Sequence, residues 1–516
     1  MNAPPLQPPP HQLEHDGGSV PFPSAISVHG IAADDPAERR THETMAALGT
    51  RLPGVRFDLD GEAPYRITFR CDESVQHAEG YTLSSDEHGI TVSARTAAGR
   101  FYGAQTVYQL LAHAFHGLRF GRFEHGMSVQ AAAARRVVPK LRIEDAPRFA
   151  VRGFSVDCGR APYSPALLRR VIRLMAHLKL NLLHLHLIDD ELCGFRFANL
   201  PLGTENPHAL TAADLRELVA YARSYHVTVM PEIESWGHVN SIVYHYPHLR
   251  GGAGEYGGSS FGIGEATYDL IDKILDEIVP CLEDTAAVHL GLDEARWAVL
   301  PGEEDRGHTP ENMVGRLHEI LMRAGSRHAK NLTMHVWADH GGRPLPAELR
   351  DRIVVQPWGY HAQGIPAIVD QVRRYGGDDK PPVMFGGGAS WIRYHGDFEA
   401  TRVWAREANA QANVLGITPC LWGTNDLAGR LITLYGGAGY VWKPDLSTDA
   451  ETPAAVELRR NTLDQQMRQW QILFPDADHG AINDDRGPEV ELGRYVWAPR
   501  AGEAVAPTAE FFPDET

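Results

Sequence analysis

The chain is short of basic charge. Its 49 Lys and Arg stand against 66 Asp and Glu, a formal net charge of −17 over 516 residues. Nucleic acids and anionic membrane surfaces are bound through clustered cations, so the balance argues against both as partners. Cysteine is scarce too. Five residues, Cys71, Cys158, Cys193, Cys281 and Cys420, lie far apart without CxxC spacing. That argues against a disulfide framework or a zinc-thiolate site and suits a reducing, cytoplasmic setting. No apolar run approaches the length of a membrane span, and no basic start followed by an apolar stretch marks a secretory leader. No feature assigns an oligomeric state.

What is present fits a large globular enzyme: 43% hydrophobic and 22% charged residues. The Pro-, Gly- and His-rich start predicts a disordered tail over residues 1–20. A small α/β accessory domain is expected over 21–138. Within it, Gly80–Ser84 and Gly89–Ser93 alternate like a hairpin about Asp86–Gly89, and a helix follows from Ala97 to about His113. From Val151 the rhythm becomes strand then helix, repeatedly. Strands are predicted near Val151–Asp157, Asn181–Ile188, Val227–Ile233, Ala287–Leu292, Leu332–Ala338, Ile353–Trp358, Val383–Gly386 and Val414–Leu421. Ser164-Pro165 and Thr211 with Asp214 are helix starts. Eight such units, with no Gly-rich phosphate turn after the first strand, predict a (β/α)₈ TIM barrel over 139–483 rather than an open sheet. Residues 484–516 read as an irregular tail.

Active sites of such barrels lie at the C-terminal strand ends. Those ends carry Asp157 and Arg160, then Asp189-Asp190 after His184 and His186, then Glu232, Glu234 and His238. Asp293-Glu294 close the fourth strand. Trp337, Trp358, Trp391 and Trp422 follow on the last four. Adjacent carboxylates repel, and each raises the other's hold on a proton. Alone, the Asp293-Glu294 pair reads first as a solvated pair capping the following helix; the rest of the chain shifts that reading. The joint pattern suits a sugar: carboxylates for acid and base, aromatic faces for a pyranose ring, and a forked Arg160 for hydroxyls.

Four ordered blocks carry a resemblance: Arg152–Arg160, Met175–Asp190, Met230–His238 and His289–Glu294. They resemble the catalytic barrel of β-N-acetylhexosaminidases of glycoside hydrolase family 20, and Gly80–Leu111 is similar to that family's accessory domain. The resemblance implies a substrate-assisted retaining hydrolase that removes terminal β-linked N-acetylhexosamine from a small glycoside or oligosaccharide, with no cofactor and no metal. It implies Glu294 as general acid/base and Asp293 as the group holding the acetamido N–H. Asp190 and His238 become a relay orienting the acid, and Arg160 a clamp on ring hydroxyls. Trp337, Trp358 and Trp422 become pocket walls, and His184 is placed among the substrate-binding residues.

This sequence departs from the family pattern in several places. Ala161 follows the clamp Arg where the family has His, and Glu191-Leu192-Cys193-Gly194-Phe195 lacks the usual Trp. Glu234 replaces Asp, and Trp236 replaces Pro. The carboxylate expected after the last-strand Trp is absent, leaving Asn425 or Asp426 in its place. Tyr394 is the first candidate for the acetamido oxygen and Tyr360 the second. These departures leave gluco- against galacto-preference open and look like a divergent intracellular branch. Two other readings remain. His184, His186, His289, His335 and Asp339 suit a metal-dependent amidohydrolase, and a sugar-binding barrel without catalysis would keep the tryptophans alone.

Overall fold

A computed structural model describes residues 5–116, 136–253, 259–341, 347–360, 365–390, 398–446 and 452–486. The N-terminal region forms a seven-stranded sheet. Its order is Gln12–Pro21, Val137–Asp145, Tyr81–Ser85, Gly89–Ala94, Tyr65–Cys71, Ala25–His29 and Arg56–Leu59. Residues 5–20 therefore do not form the expected disordered tail. Gln12 to Pro21 pairs antiparallel with Val137 to Glu144, and Leu6 and Gln7 are buried. A partner strand more than a hundred residues away supplies the hydrogen bonds that local composition does not. That pairing also moves the domain boundary. Val137–Asp145 belongs to the first sheet, so 138/139 falls inside a strand.

The helix Ala97–His116 is buried nearly all round. One side meets the sheet, and the other meets the barrel through Tyr102 against Trp442 and Tyr108 against Phe474. A helix apolar on every face belongs in such a sandwich. Buried charge pairs fasten the two domains together. Arg152 forks onto Glu79 at 2.8 and 2.9 Å, and Lys179 Nζ donates to Asp145 at 3.0 Å.

Barrel strands are numbered here β1 (Val151–Asp157), β2 (Leu182–His186), β3 (Thr228–Glu232), β4 (Thr285–His289), β5 (Asn331–Trp337), β6 (Ile353–Gln356), β7 (Val383–Ser390) and β8 (Val414–Leu421). All eight run parallel, and β8 pairs with β1 to close the ring. The β6–β7 seam is thin: Val355 with Val383, then Trp358-Gly359 beside Gly386-Gly387. Both expected helix starts are present. Ser164 accepts from Leu167 N–H at 3.0 Å, and Thr211 with Asp214 forms a reciprocal capping box. The lower barrel interior is an apolar layer of Leu182, Met230, Val354 and Met384. Above it the interior turns polar, with His184, His186, Glu232, His289 and His335 all buried. Among the described residues, no helix is long and apolar enough to cross a membrane.

Candidate active site

Asp157, at the end of β1, shapes the mouth. It accepts from the N–H groups of Gly159, Arg160 and Gly423 at 3.1, 2.8 and 2.8 Å, joining the β1 and β8 loops. Arg160 projects from this turn. Its Nη1 reaches Asp157 at 3.2 Å and its Nη2 reaches Asp189 at 2.8 Å, and the guanidinium lies 5.6 Å from the Trp422 ring centre.

The β2 loop supplies Asp190, which accepts from Asn240 and Ser259 N–H at 3.0 and 3.2 Å. His238, held at a left-handed φ of 50° after β3, stands between two acids. Its Nδ1 is 3.0 Å from Asp190 and its Nε2 3.1 Å from Glu294. Burial opposes charge on this ring. Asp189 outweighs that penalty together with Asp190, Glu294 and Asp293, and the imidazole is held well above its ordinary range.

Strand β4 stops at His289, three residues earlier than expected. The chain then turns through left-handed conformations at Gly291 (φ 67°), Leu292 (79°) and Glu294 (46°). A side chain at 291 would put its Cβ 2.0 Å from Glu234 Oε2 and would have to displace that carboxyl, while glycine takes the left-handed φ without the clash. The two non-glycine residues carry strain of a kind found where a loop must present chemistry. After Glu294 the next helical turn is the short 3-10 segment Glu304–Arg306 and the next α-helix starts at Pro310, so Asp293 and Glu294 do not cap one. Glu294 N–H donates to Asp339 at 3.3 Å. Asp293 is raised by burial, pulled down by His238, and pushed up again by Asp339, Glu294 and Glu232, reaching about 7.

Facing these acids is an aromatic group from β5, β6 and β8. Trp337 and Trp422 meet at 6.1 Å edge to face, and Trp358 lies 5.3 Å from Tyr360. Each indole N–H is anchored: Trp337 donates to Glu232, Trp422 to the Tyr360 hydroxyl at 2.7 Å, and Trp358 to Asp339. The rings are thereby fixed as walls.

The structure brings Asp190, His238, Asp293, Glu294, Arg160, Trp337, Trp358 and Trp422 to one mouth. Two expected substrate contacts go elsewhere. His184 is fully buried below the pocket, 3.0 Å from Glu232 and stacked on Trp337, because β2 turns both of its histidines inward. Asp426 caps the helix Leu427–Trp442 by accepting from Gly429 N–H at 3.1 Å, so its carboxylate is engaged by the backbone. Its neighbour Asn425 bridges Pro162 O and Arg486. Tyr394 and Trp391 lie outside the described residues.

Two further acids complete the site without a distinctive sequence signal: Asp339, marked only by its place just past β5, and Asp189, which ties Arg160 to His186 at 2.8 and 2.7 Å. Potential metal-ligand atoms of His184, Glu232 and His289 do gather within 4.8 Å of one another. Asp339, however, is engaged by Trp358 and Glu294 rather than by these histidines. The five-residue amidohydrolase set is therefore not assembled.

The closed parallel barrel thus carries carboxylates on one side of its mouth and tryptophans on the other. The sequence model for the glycosyl hydrolase family 20 catalytic domain matches residues 149–371, and that for domain 2 of the same family matches 3–146. The chain belongs to glycosyl hydrolase family 20. It is 29% identical to a β-N-acetylhexosaminidase of Cellulomonas fimi, over 67% of this chain and 65% of that one. It is 26% identical to a β-hexosaminidase of Porphyromonas gingivalis, over 56% of this chain and 42% of the relative. The chain thus spans less than two thirds of the length of these relatives. The crystal structure of Flavobacterium johnsoniae chitobiase shares the fold, with a TM-score of 0.66 at 19% identity over 91% of this chain and 72% of that one.

Proposed function

We propose that this protein hydrolyses terminal, non-reducing β-linked N-acetylhexosamine from small glycosides or oligosaccharides, using the substrate's own acetamido group as nucleophile. The observation that carries this reading is the Asp190–His238–Glu294 relay beside a half-buried Asp293, opposite an aromatic wall. A pyranose seated against Trp422 and Trp358 presents its glycosidic oxygen to Glu294. The acetamido oxygen attacks C1, the C1–O bond breaks, and Glu294 gives its proton to the leaving oxygen. Asp293 holds the acetamido N–H in line and offsets the positive charge that develops on the forming oxazolinium ring. Glu294 then takes a proton from water, which opens the ring at C1 with overall retention. His238, charged between its acids, fixes the direction of the Glu294 carboxyl. Arg160 donates to ring hydroxyls. The five cysteines, none in a disulfide, support a cytoplasmic location.

Aryl β-glycosides with and without the 2-acetamido group test the reading. Hydrolysis of the N-acetyl substrates alone, with strong inhibition by a thiazoline analogue, is expected. Efficient cleavage of a plain β-glucoside with indifference to thiazoline would overturn it.

A further inference from the structure

Glu191 is an acid at the mouth with no part in the chemistry above. The backbone on either side of it is pinned: Asp189 N–H donates to Leu192 O at 3.1 Å, and Leu192 N–H donates to Gly159 O at 2.8 Å. Those bonds fuse the β1 and β2 loops, and Gly159 permits it, since a Cβ there would lie 2.6 Å from Asp189 Cβ. Between half-buried Asp190 and buried Leu192 the Glu191 side chain turns outward, 48% exposed, with Oε2 3.8 Å from Arg160 Nε. That distance is too long for a hydrogen bond. Arg160 also needs no third anion, because Asp157 and Asp189 already neutralise its charge. An open ion pair of this kind contributes little to the fold.

The placement suits a ligand better than it suits stability. Arg160 and Glu191 rise from β1 and β2, while Asp293 and Glu294 rise from β4, farther round the mouth. Arg160 lies 5.6 Å from the Trp422 ring and 3.4 Å from His238, whose other nitrogen is 3.1 Å from Glu294, so a pyranose with its C1 at Glu294 and a face on Trp422 would meet Arg160 and Glu191 along an outer edge. A guanidinium offers donors only, whereas each hydroxyl must also donate. A carboxylate beside the guanidinium completes the recognition of two neighbouring hydroxyls. Asn425 and Asp426, the acceptors nearest in sequence to Trp422, are committed to Pro162, Arg486 and the helix cap.

We propose that Glu191 is a specificity-determining residue, accepting a hydrogen bond from one hydroxyl at C3 or C4 of the sugar while Arg160 donates to its neighbour. This rests on the N-acetylhexosaminidase reading. The test crosses a substrate deletion with a side-chain change. An aryl N-acetyl-β-glucosaminide, its 3-deoxy and 4-deoxy forms and its 4-epimer are compared on wild type and Glu191→Gln. Burial and the nearby Asp189 push the Glu191 carboxyl up to about 8 against the pull of Arg160, so the comparison is made above that pH, where a hydrogen bond to the charged group corresponds to about a ten- to hundredfold effect. In wild type, one of the deoxy substrates should lose about that much in kcat/KM. In Glu191→Gln the parent substrate should fall by about as much, the penalty for that deoxy form should shrink to within about threefold, and the ratio between the 4-epimers should change. Thermal melts should coincide, because the side chain is exposed. Deoxy penalties that stay the same in the variant, whatever its absolute rate, would overturn the proposal, as would their absence in wild type. Failure of wild type to cleave either parent N-acetylhexosaminide would instead sink the hydrolase reading.

Discussion

Glu232 and Glu234 are two residues apart, equally buried, and pushed in opposite directions in their hold on a proton. Glu232 belongs to the floor beneath the pocket. Burial alone would raise it, but His186 at 2.6 Å, His289 at 3.1 Å and His184 at 3.0 Å hold it well below the carboxylate range, and the Trp337 N–H bonds it as well. Glu234 belongs to the rim. It sits under Gly291, and neither oxygen has a hydrogen-bond partner among the described residues. Burial, with Asp293 and Glu232 nearby, pushes it well above its ordinary value. The rim continues in the same sense: Asp293 reaches about 7, and desolvation with Glu294 nearby lifts Asp339 to about 6. Depth of burial therefore does not set ionisation here; the donors that burial brings along do. The floor is a compensated network and its value is structural. The rim keeps its electrostatic conflict, and that conflict gives a site its acid and its anion near neutral pH.

Changes to the rim should alter chemistry, and changes to the floor should alter stability. The largest effect is expected from Glu294→Gln, which should lower kcat on substrates with poor leaving groups by about 10²–10⁴-fold with an unchanged melt. The loss should be smaller for acidic leaving groups, and near-normal turnover of an alkyl glycoside would remove Glu294 from the role. On the floor, Glu232→Gln strips a shared partner from buried histidines and should cost about 3–5 kcal/mol in chemical denaturation. Glu234→Gln swaps one neutral group for another and should cost under about 1 kcal/mol. Equal costs for the two would break the distinction.

Asp293→Asn comes next, with kcat expected to fall about 10²–10³-fold while KM changes little, since the charge it offsets develops in the transition state. A drop confined to KM would contradict that. The pH profile offers a finer measurement. Activity needs the Asp293 anion, so kcat/KM should decline on the acid side below about 7. Asp339→Asn removes a like charge and should move that limb to lower pH, whereas Glu234→Gln should leave it in place. Stability carries the opposite sign. The folded Asp293 pKa is raised from 3.8, so its protonated form favours the fold; that contribution is complete below about 4 and is lost as pH rises through about 7. The smallest effect, expected to be none, is from prolonged EDTA. Activity lost to EDTA and restored by zinc would point instead to His184, Glu232 and His289 as ligands.

Much of the scaffold was legible because its signals are local. The periodicity marking β1 and β8, the Ser164 cap and the Thr211–Asp214 box depend on residues a few positions apart. The strand Gln12–Pro21 was hidden for the converse reason: its partner is Val137–Asp145. The position of Asp426 after Trp422 suggests a pocket residue. Whether an acid after a strand faces ligand or caps the next helix depends on where that helix starts, and it starts at Leu427.

The order of acids, histidines and tryptophans along the chain determined which side chains the mouth would contain, because an eight-fold strand–helix repeat delivers every strand end to one rim. The sequence alone also carried the adjacency of Asp293 and Glu294. Tertiary structure decided the rest. It lowered the Glu232 carboxyl and raised that of Glu234, sent His184 below the barrel mouth, and aimed the acid pair through a left-handed turn that starts at Gly291. Charge state and aim depend on what lies within a few ångströms across strands, and those neighbours come from parts of the chain tens to hundreds of residues apart.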